Sequence, residues 1–327
     1  MKKSERIILA GGTGFLGRIL RRSLTAGGYE VIILSRSASA AGADRVKENV
    51  REVHWDGWCL GPWTSELEGA LALINLAGRS VNCRYNERNR KLIMDSRVDS
   101  TRVLGEAVGG CTAPPKVWLN SSTATIYQHS LDRDRDENSA EFDSTPEAKD
   151  AFSVSVTRNW EQAFAQASTP QTRKVALRIS MVLGTEEGTV FRIFTKLTRL
   201  GLGGRMSSGN QYVSWIHEDD FCRAVQWVIA NEKLTGPVNF TAPHPLPNHE
   251  MMRLLRRACG IPVGLPAARW MLELGAFFMR TETELILKSR RVVPRRLLDS
   301  GFTFHFPRFE EAARDLLARL ERGAASK

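Results

Sequence analysis

A short apolar run, Ile7-Ile8-Leu9-Ala10, breaks into Gly11-Gly12-Thr13-Gly14-Phe15-Leu16-Gly17, and an amphipathic stretch follows at once. Few chain geometries accommodate this order. Glycines let the backbone turn sharply and come close to a ligand, while the unpaired N–H groups of the helix start face negative charge. A second strand-like run at Glu30–Leu34 completes the context in which such a turn holds a pyrophosphate and is more than a bare strand–helix turn. The expected contacts of a dinucleotide in this turn are Gly11, Thr13, Gly14, Phe15, Leu16 and Gly17.

The first half of the chain alternates strand and helix patterns. Strands are expected at Arg6–Ala10, Glu30–Leu34, Glu52–Trp55, Ala72–Leu76 and Val117–Ser121, and helices at Leu16–Ala26, Tyr85–Val108 and Ser153–Ala167. Alternation of this kind predicts an α/β fold, a Rossmann-type doubly wound parallel sheet with helices on both faces. Phe221–Ala230 reads as a helix and Val238–Thr241 as a late strand. At Ala242 the composition changes to the Pro-rich connector APHPLPNH. Beyond it lie an amphipathic helix at Glu250–Cys259, an apolar one at Ala268–Met279 and a final one at Phe309–Arg322. The reading divides the chain into a dinucleotide domain at 1–242, with a cleft-lining insert at about 185–215, and a smaller, mainly helical C-terminal substrate lobe at 243–327.

The end of the second strand selects among dinucleotides. An NAD site places Asp or Glu there to accept from the adenosine ribose hydroxyls. This strand ends Leu34-Ser35-Arg36, with Arg36 standing 19 residues past Gly17. A guanidinium and a hydroxyl bind a 2′-phosphate that a carboxylate would repel, so Ser35 and Arg36 predict NADP(H). Leu76, Ala77 and Gly78 end the fourth strand with small residues that let backbone approach the same cofactor.

Composition narrows the partners. The 327 residues carry 46 Lys and Arg against 36 Asp and Glu, a net charge of +10. Basic residues are spread along the chain, with one denser cluster at Lys288–Arg296. Because Val292, Val293 and Pro294 interrupt it, it is no free basic tail, and no nucleic-acid motif accompanies it. It reads as a solvated helix end, with contact to a substrate phosphate next and nucleic acid last. No apolar run reaches the roughly 18–20 residues of a membrane span. The N-terminal apolar stretch runs straight into the glycine turn and carries no cleavage site, so it reads as part of the fold. Five scattered cysteines (59, 83, 111, 222 and 259) have no metal-ligand spacing and suit a reducing cytoplasm, with no metal expected.

The motifs in their order resemble the extended short-chain dehydrogenases/reductases: GGTGFLG, Ser35-Arg36, Asn75-Leu76-Ala77-Gly78, the Ser121–Tyr127 strand end and Trp215-Ile216-His217-x-x-Asp220. More narrowly, the chain resembles the atypical "epimerase family" proteins, which are NAD-dependent epimerase/dehydratase-like and carry a C-terminal domain of unknown function. That likeness rests on Ser96-Arg97, Gly201-Leu202-Gly203-Gly204, Ser208-Gly209-x-Gln211, Ser289-x-Arg291-Val292-x-Pro294 and Gly301-Phe302-x-Phe304. The resemblance implies NADP(H) binding in a cytoplasmic protein and a homodimer. It also adds Arg97, Ser121, Ser122 and Met181 to the cofactor contacts.

Enzymes of that pattern use a Ser/Thr hydroxyl, a tyrosine as acid/base and a lysine four residues on. Here the resemblance places Thr123 at the hydroxyl position. Counting back from Glu161, the tyrosine and lysine positions hold Ser153 and Thr157, and the tyrosines at 29, 85, 127 and 212 begin no Tyr-x-x-x-Lys. Thr123 and Tyr127 are the catalytic candidates, with Arg97 and His217 as further groups for positioning or proton transfer. The glycines at 201, 203, 204 and 209 suggest a cleft-lining lid, and Tyr212, Trp215 and His217 a ligand-facing wall. The expected function is oxidoreductase or epimerase-like chemistry on a small polar substrate, an anion among the candidates. The rival is an NADP(H)-sensing protein without turnover.

Overall fold

The computed structural model describes residues 5–36, 49–278 and 284–325. In chain order the elements are β1 (Arg6–Ala10), α1 (Phe15–Ala26), β2 (Glu30–Ser35), β3 (Val50–His54), β4 (Ala72–Asn75), α2 (Glu87–Gly109), β5 (Val117–Thr123), α3 (Ala151–Gln166) and β6 (Arg173–Ile179). Then come β7 (Met181–Leu183), α4 (Val190–Arg199), β8 (Tyr212–Val213), β9 (Trp215–His217), α5 (Glu218–Ala230), β10 (Gly236–Phe240) and β11 (Leu246–Pro247). The last are α6 (Asn248–Ala258), α7 (Arg269–Phe278), α8 (Glu284–Leu287), α9 (Arg295–Asp299) and α10 (Phe309–Ala325).

Seven strands form one sheet in the order β10-β6-β5-β4-β1-β2-β3, every pair parallel. Successive side chains of β1 point to opposite faces, so Ile7 and Leu9 join one core and Ile8 and Ala10 the other. The first core also takes Leu20 and Leu24 of α1 and Phe221 and Val225 of α5. The second takes Val103 and Leu104 of α2 with Phe164 of α3. Strands buried on both faces explain why the sequence shows continuous apolar runs. The order of strand addition reverses between β1 and β4, which opens a crevice at the carboxyl ends of the strands.

A third core joins α4, α6 and α10 through Phe191, Met251, Met252, Ala313 and Leu316. Residues beyond 242 also return to the sheet: Leu297 and Phe302 belong to the first core, and β11 pairs antiparallel with β8. Helix α4 falls within a stretch that the sequence reading left as a glycine-rich insert, and Phe191, Thr195 and Thr198 are its buried positions. The short parallel pair β7–β9 was also unforeseen. Met279, the last residue of the expected apolar helix, lies outside the described residues. No helix among the described residues is long and apolar enough to cross a membrane.

Candidate functional site

The glycine turn hangs between two strand ends. Gly11 N–H donates to Leu34 O at 3.1 Å, and Leu76 N–H donates to Ala10 O at 2.9 Å. Gly11 has φ +77°, and a Cβ there would stand 2.7 Å from Ala77 N, so both conformation and space require glycine. At Gly17 a Cβ would stand 2.4 Å from the Gly12 backbone, which is what lets α1 pack against the turn. Gly14 differs, since a Cβ there would meet no protein atom within 4 Å. It is the N-cap of α1 and makes no side-chain cap, so the first-turn N–H groups lack that partner at the crevice.

Two adjoining cavities of about 690 and 540 Å³ share Gly11, Gly14 and the Leu76–Ser80 segment. The first extends to Ser35, Arg36, Trp55, Asp56 and Trp58. Among the described residues Arg36 forms no ion pair, and no carboxylate stands at the end of β2. Backbone N–H groups of Cys59 and Trp58 hold the Asp56 carboxyl below the usual carboxylate range. The second cavity extends to Phe15, Leu16, Gly17, Arg97, Ser121, Ser122 and Thr123, and on to Tyr85, Phe152, Ser153, Thr157 and Glu284.

Buried polar contacts fix the cleft walls. Asn75 Nδ2 donates to Asn120 Oδ1 at 2.7 Å, while Asn75 Oδ1 accepts from Ala77 N–H at 3.0 Å, holding the turn after β4. Ser96 Oγ accepts from Arg79 N–H at 2.9 Å, and Arg97 Nη1 donates to Arg79 O at 3.1 Å. The Ser96-Arg97 pair therefore pins the next stretch of the same wall. Burial pulls the Arg97 guanidinium down to about 10, so it stays charged at neutral pH. Ser122 Oγ donates to Glu161 Oε1 at 2.5 Å, and Glu161 is held bidentate by Arg178. Ser121 Oγ is buried at the cleft with no hydrogen-bond partner among the described residues. An orphaned hydroxyl at a dry wall fits a ligand that supplies the missing bond.

The structure thus gathers Gly11, Thr13, Gly14, Phe15, Leu16, Gly17, Ser35, Arg36, Leu76, Ala77, Gly78, Arg97, Ser121, Ser122 and Thr123 around one crevice. It places others elsewhere. Met181 packs against the third core and is not among the cleft-lining residues. Tyr127 is 1% exposed, with its hydroxyl bonded to Arg178 and Asn239, because the chain turns at Ala124–Ile126 and carries it behind the sheet end. His217 is fully buried, stacked on Phe306 at 3.9 Å, with Nε2 3.1 Å from Asp315 Oδ2. Trp215 is buried in the third core, and Arg291 lies over the Tyr212 ring at 4.6 Å. Of the expected aromatic wall, Trp215 and His217 are interior packing, and Tyr212 is half-buried.

The basic cluster also differs from a solvated helix end. Lys288 is fully buried, 2.5 Å from Asp150 Oδ2, and Arg290 Nε donates to Thr125 Oγ1 at 3.2 Å. Arg291 pairs with Asp134, and Arg296 donates to the carbonyls of Thr235 and Pro237. The segment is a strap that binds the C-terminal region to the β5 and β10 ends.

Three further cleft residues belong to no motif of the sequence. Arg79 follows the strand-end glycine, Tyr85 precedes the long helix, and Glu284 arrives from about 200 residues further on. For Arg79 and Tyr85 the signal available was proximity to the Asn75–Gly78 turn; for Glu284 there was none.

Comparison with known proteins gives two family matches, "NAD dependent epimerase/dehydratase family" over residues 7–240 and a "domain of unknown function" (DUF1731) over 267–316. The epimerase family protein SDR39U1 of Bos taurus is 33% identical over 317 residues, covering 96% of this chain and 100% of that one. The epimerase family protein YfhF of Bacillus subtilis is 30% identical over 312 residues, 95% of this chain and 98% of that one. Among solved structures, human epimerase family protein SDR39U1 (isoform 2) with NADPH superposes with a TM-score of 0.83 at 28% identity, covering 96% of this chain and 100% of that one. A UDP-N-acetylglucosamine 4-epimerase from Bacillus cereus shares the fold at 17% identity and a TM-score of 0.71, over 97% and 99% of the two chains.

Proposed function

Because the chain belongs to the NAD dependent epimerase/dehydratase family, we propose that it binds NADP(H) in this crevice and reduces or epimerises a small polar substrate in the cytoplasm. The observation that carries the cofactor choice is the end of β2. Ser35 and Arg36 line the cavity where an NAD site keeps a carboxylate. The human relative, described with NADPH, supports the same choice. The residues present fit the group: Gly14 leaves open space at the head of α1, and Ser121 Oγ lacks a partner.

In this reading Ser35 and Arg36 hold the 2′-phosphate, and the Gly11–Gly17 turn with the α1 N-terminus holds the pyrophosphate. Leu76, Ala77, Gly78, Arg97, Ser121 and Ser122 enclose the remainder. When bound, the cofactor supplies or accepts a hydride. Thr123 lines the deeper cavity, its Oγ1 accepts from Thr125 N–H at 3.2 Å, and in this reading its hydroxyl proton turns from Thr125 Oγ1, 3.1 Å away, to the substrate oxygen.

Titration of protein fluorescence with NADPH and NADH tests the proposal. NADPH is expected to bind at least about tenfold tighter, a difference of about 1.4 kcal/mol. Tighter NADH binding, or binding of neither, overturns it.

A second reading, an NADP(H) sensor without turnover, is favoured by one observation. The usual tyrosine and lysine positions hold Ser153 and Thr157, and the Thr157 hydroxyl is engaged by Ser153 O at 2.8 Å. Incubation with labelled NADPH and a metabolite extract separates the two: oxidation lost in Thr123→Val supports catalysis, and cofactor bound but never consumed supports sensing.

A further inference from the structure

The deep end of the cleft holds a carboxyl group that the cofactor contacts do not use. Glu284 begins α8, is 5% exposed and lines the same cavity as Gly14, Ser121 and Thr123. Its Oε1 is buried with no hydrogen-bond partner, and among the described residues Glu284 forms no ion pair. Ser153 and Tyr85 line the same cavity beside it, Ser153 at the position where relatives of the usual pattern carry their tyrosine. Tyr85 is seated edge-on against Phe152, ring centres 5.0 Å apart. A carboxyl, a hydroxyl and a phenol therefore converge at one wall.

We propose that Glu284 is the proton donor of this cleft, a catalytic residue delivered by the C-terminal region. The proposal rests on the reading of the crevice as an NADP(H)-dependent reductase site.

Two cations stand near the carboxyl, and each is bonded to another partner. Lys288 is engaged by Asp150 at 2.5 Å and by Thr125 O at 2.6 Å, and Arg290 is directed to Thr125 Oγ1. Tyr85 is a neutral phenol, pushed up to about 12 by burial and then by the nearby Glu284. Burial raises the Glu284 carboxyl above its ordinary range, outweighing Ser153, Arg290 and Lys288, while Asp150 adds to the rise.

The substrate class that follows is a ketone or aldehyde with polar neighbours. The Glu284 O–H bond breaks and a new O–H bond forms on the substrate's carbonyl oxygen. The electron pair of the broken bond stays on the carboxylate. The carbonyl carbon is reduced by hydride from the dihydronicotinamide, which is oxidised in turn. Solvent returns the proton to Glu284 for the next cycle.

The test uses the full chain loaded with NADPH and 9,10-phenanthrenequinone, diacetyl and glyceraldehyde as carbonyl probes. In infrared spectra at pH 7, the wild type should show a neutral carboxylic-acid C=O stretch that Glu284→Gln lacks. With the probe turned over, Glu284→Gln should lower kcat by about 100-fold or more, with KM and NADPH affinity within about twofold. Glu284→Asp, which keeps the acid on a shorter arm, should recover part of that loss. Tyr85→Phe should keep most of kcat. No carboxylic-acid band, or wild-type kcat in Glu284→Gln, overturns the Glu284 assignment and leaves the reductase reading standing. Loss of turnover in Tyr85→Phe with none in Glu284→Gln moves the role to Tyr85 and overturns it equally. A wild type that binds NADPH and reduces no probe overturns both readings together.

Discussion

Arg178 Nη1 donates to the Tyr127 hydroxyl at 2.9 Å, and that hydroxyl donates onward to Asn239 Oδ1 at 2.9 Å. The chain of three joins β6 to β10 beneath the β5 end. Burial pushes the Tyr127 hydroxyl up to about 12, so it is a fixed donor through the physiological range. Tyr127→Phe should therefore act on stability alone. It leaves Asn239 Oδ1 without this donor, at a cost of about 1–2 kcal/mol, and lowers Tm by about 2–4 °C. Calorimetry beside an NADPH titration checks this, with unchanged cofactor affinity expected. An affinity loss without a Tm change would return Tyr127 to the cleft.

Arg36 should set the choice between the two nicotinamide dinucleotides. A charge-assisted contact to phosphate contributes about 1.5–3 kcal/mol, equivalent to roughly 10- to 100-fold in affinity. Arg36→Asp removes that contact and adds repulsion, so NADPH binding should weaken by at least the lower figure. NADH carries no 2′-phosphate, and its affinity should hold or improve. Equal losses for the two cofactors would rule out a 2′-phosphate contact.

The glycines of the turn should separate folding from binding. Gly17→Ala forces a Cβ to within 2.4 Å of the Gly12 backbone, so α1 must shift, at a cost of about 1–3 kcal/mol or more. Gly14→Ala, at φ −77°, meets no protein atom within 4 Å. Its stability should stay within about 1 kcal/mol of wild type, the difference being the poorer N-cap. Its Cβ occupies the space proposed for the pyrophosphate, so NADPH affinity should drop tenfold or more. A Gly14→Ala protein that binds NADPH normally would place the pyrophosphate elsewhere.

Most of the sheet was legible because parallel strands buried on both faces leave continuous apolar runs, and glycine and capping residues mark their ends. β1 was read to the residue, and α1, β2, α3 and α6 to within a residue or two. Helix α4 was missed because the insert's glycines dominated the reading, while its apolar face meets a core assembled from α6 and α10, far away in sequence. The cofactor half of the cleft follows one contiguous motif and its neighbouring strand ends, so local reading reached it. Glu284 and the Lys288–Asp150 pair are brought in by tertiary packing across more than 100 residues, a distance at which spacing carries no signal. The Arg–Val–Val–Pro interruption of the basic cluster was the visible trace of that strap. Val292 is indeed fully buried and packs with Ala124, Ile126 and Tyr127.

Glu218 should give the protein a pH-dependent stability that has nothing to do with its chemistry. It begins α5, is 6% exposed, and its Oε2 lacks a hydrogen-bond partner. Facing it are Arg319 of α10 at 3.7 Å, Arg22 of α1, Glu186 and its neighbour Asp219. Burial, reinforced by the two carboxylates, outweighs the arginines and raises its carboxyl from 4.5 to about 7. The folded state thus holds this proton more tightly than the unfolded chain does. The contribution is complete below about pH 4.5 and is lost as pH rises through 7, a change on the order of 3 kcal/mol. Glu218→Gln keeps the shape and removes the titration. Its Tm should match the wild type near pH 4.5 and exceed it by several degrees at pH 8, in calorimetric scans at each pH. A gap that stays constant with pH, or one that opens toward acid, would mean that Glu218 is ionised in the fold and that Arg319 governs it.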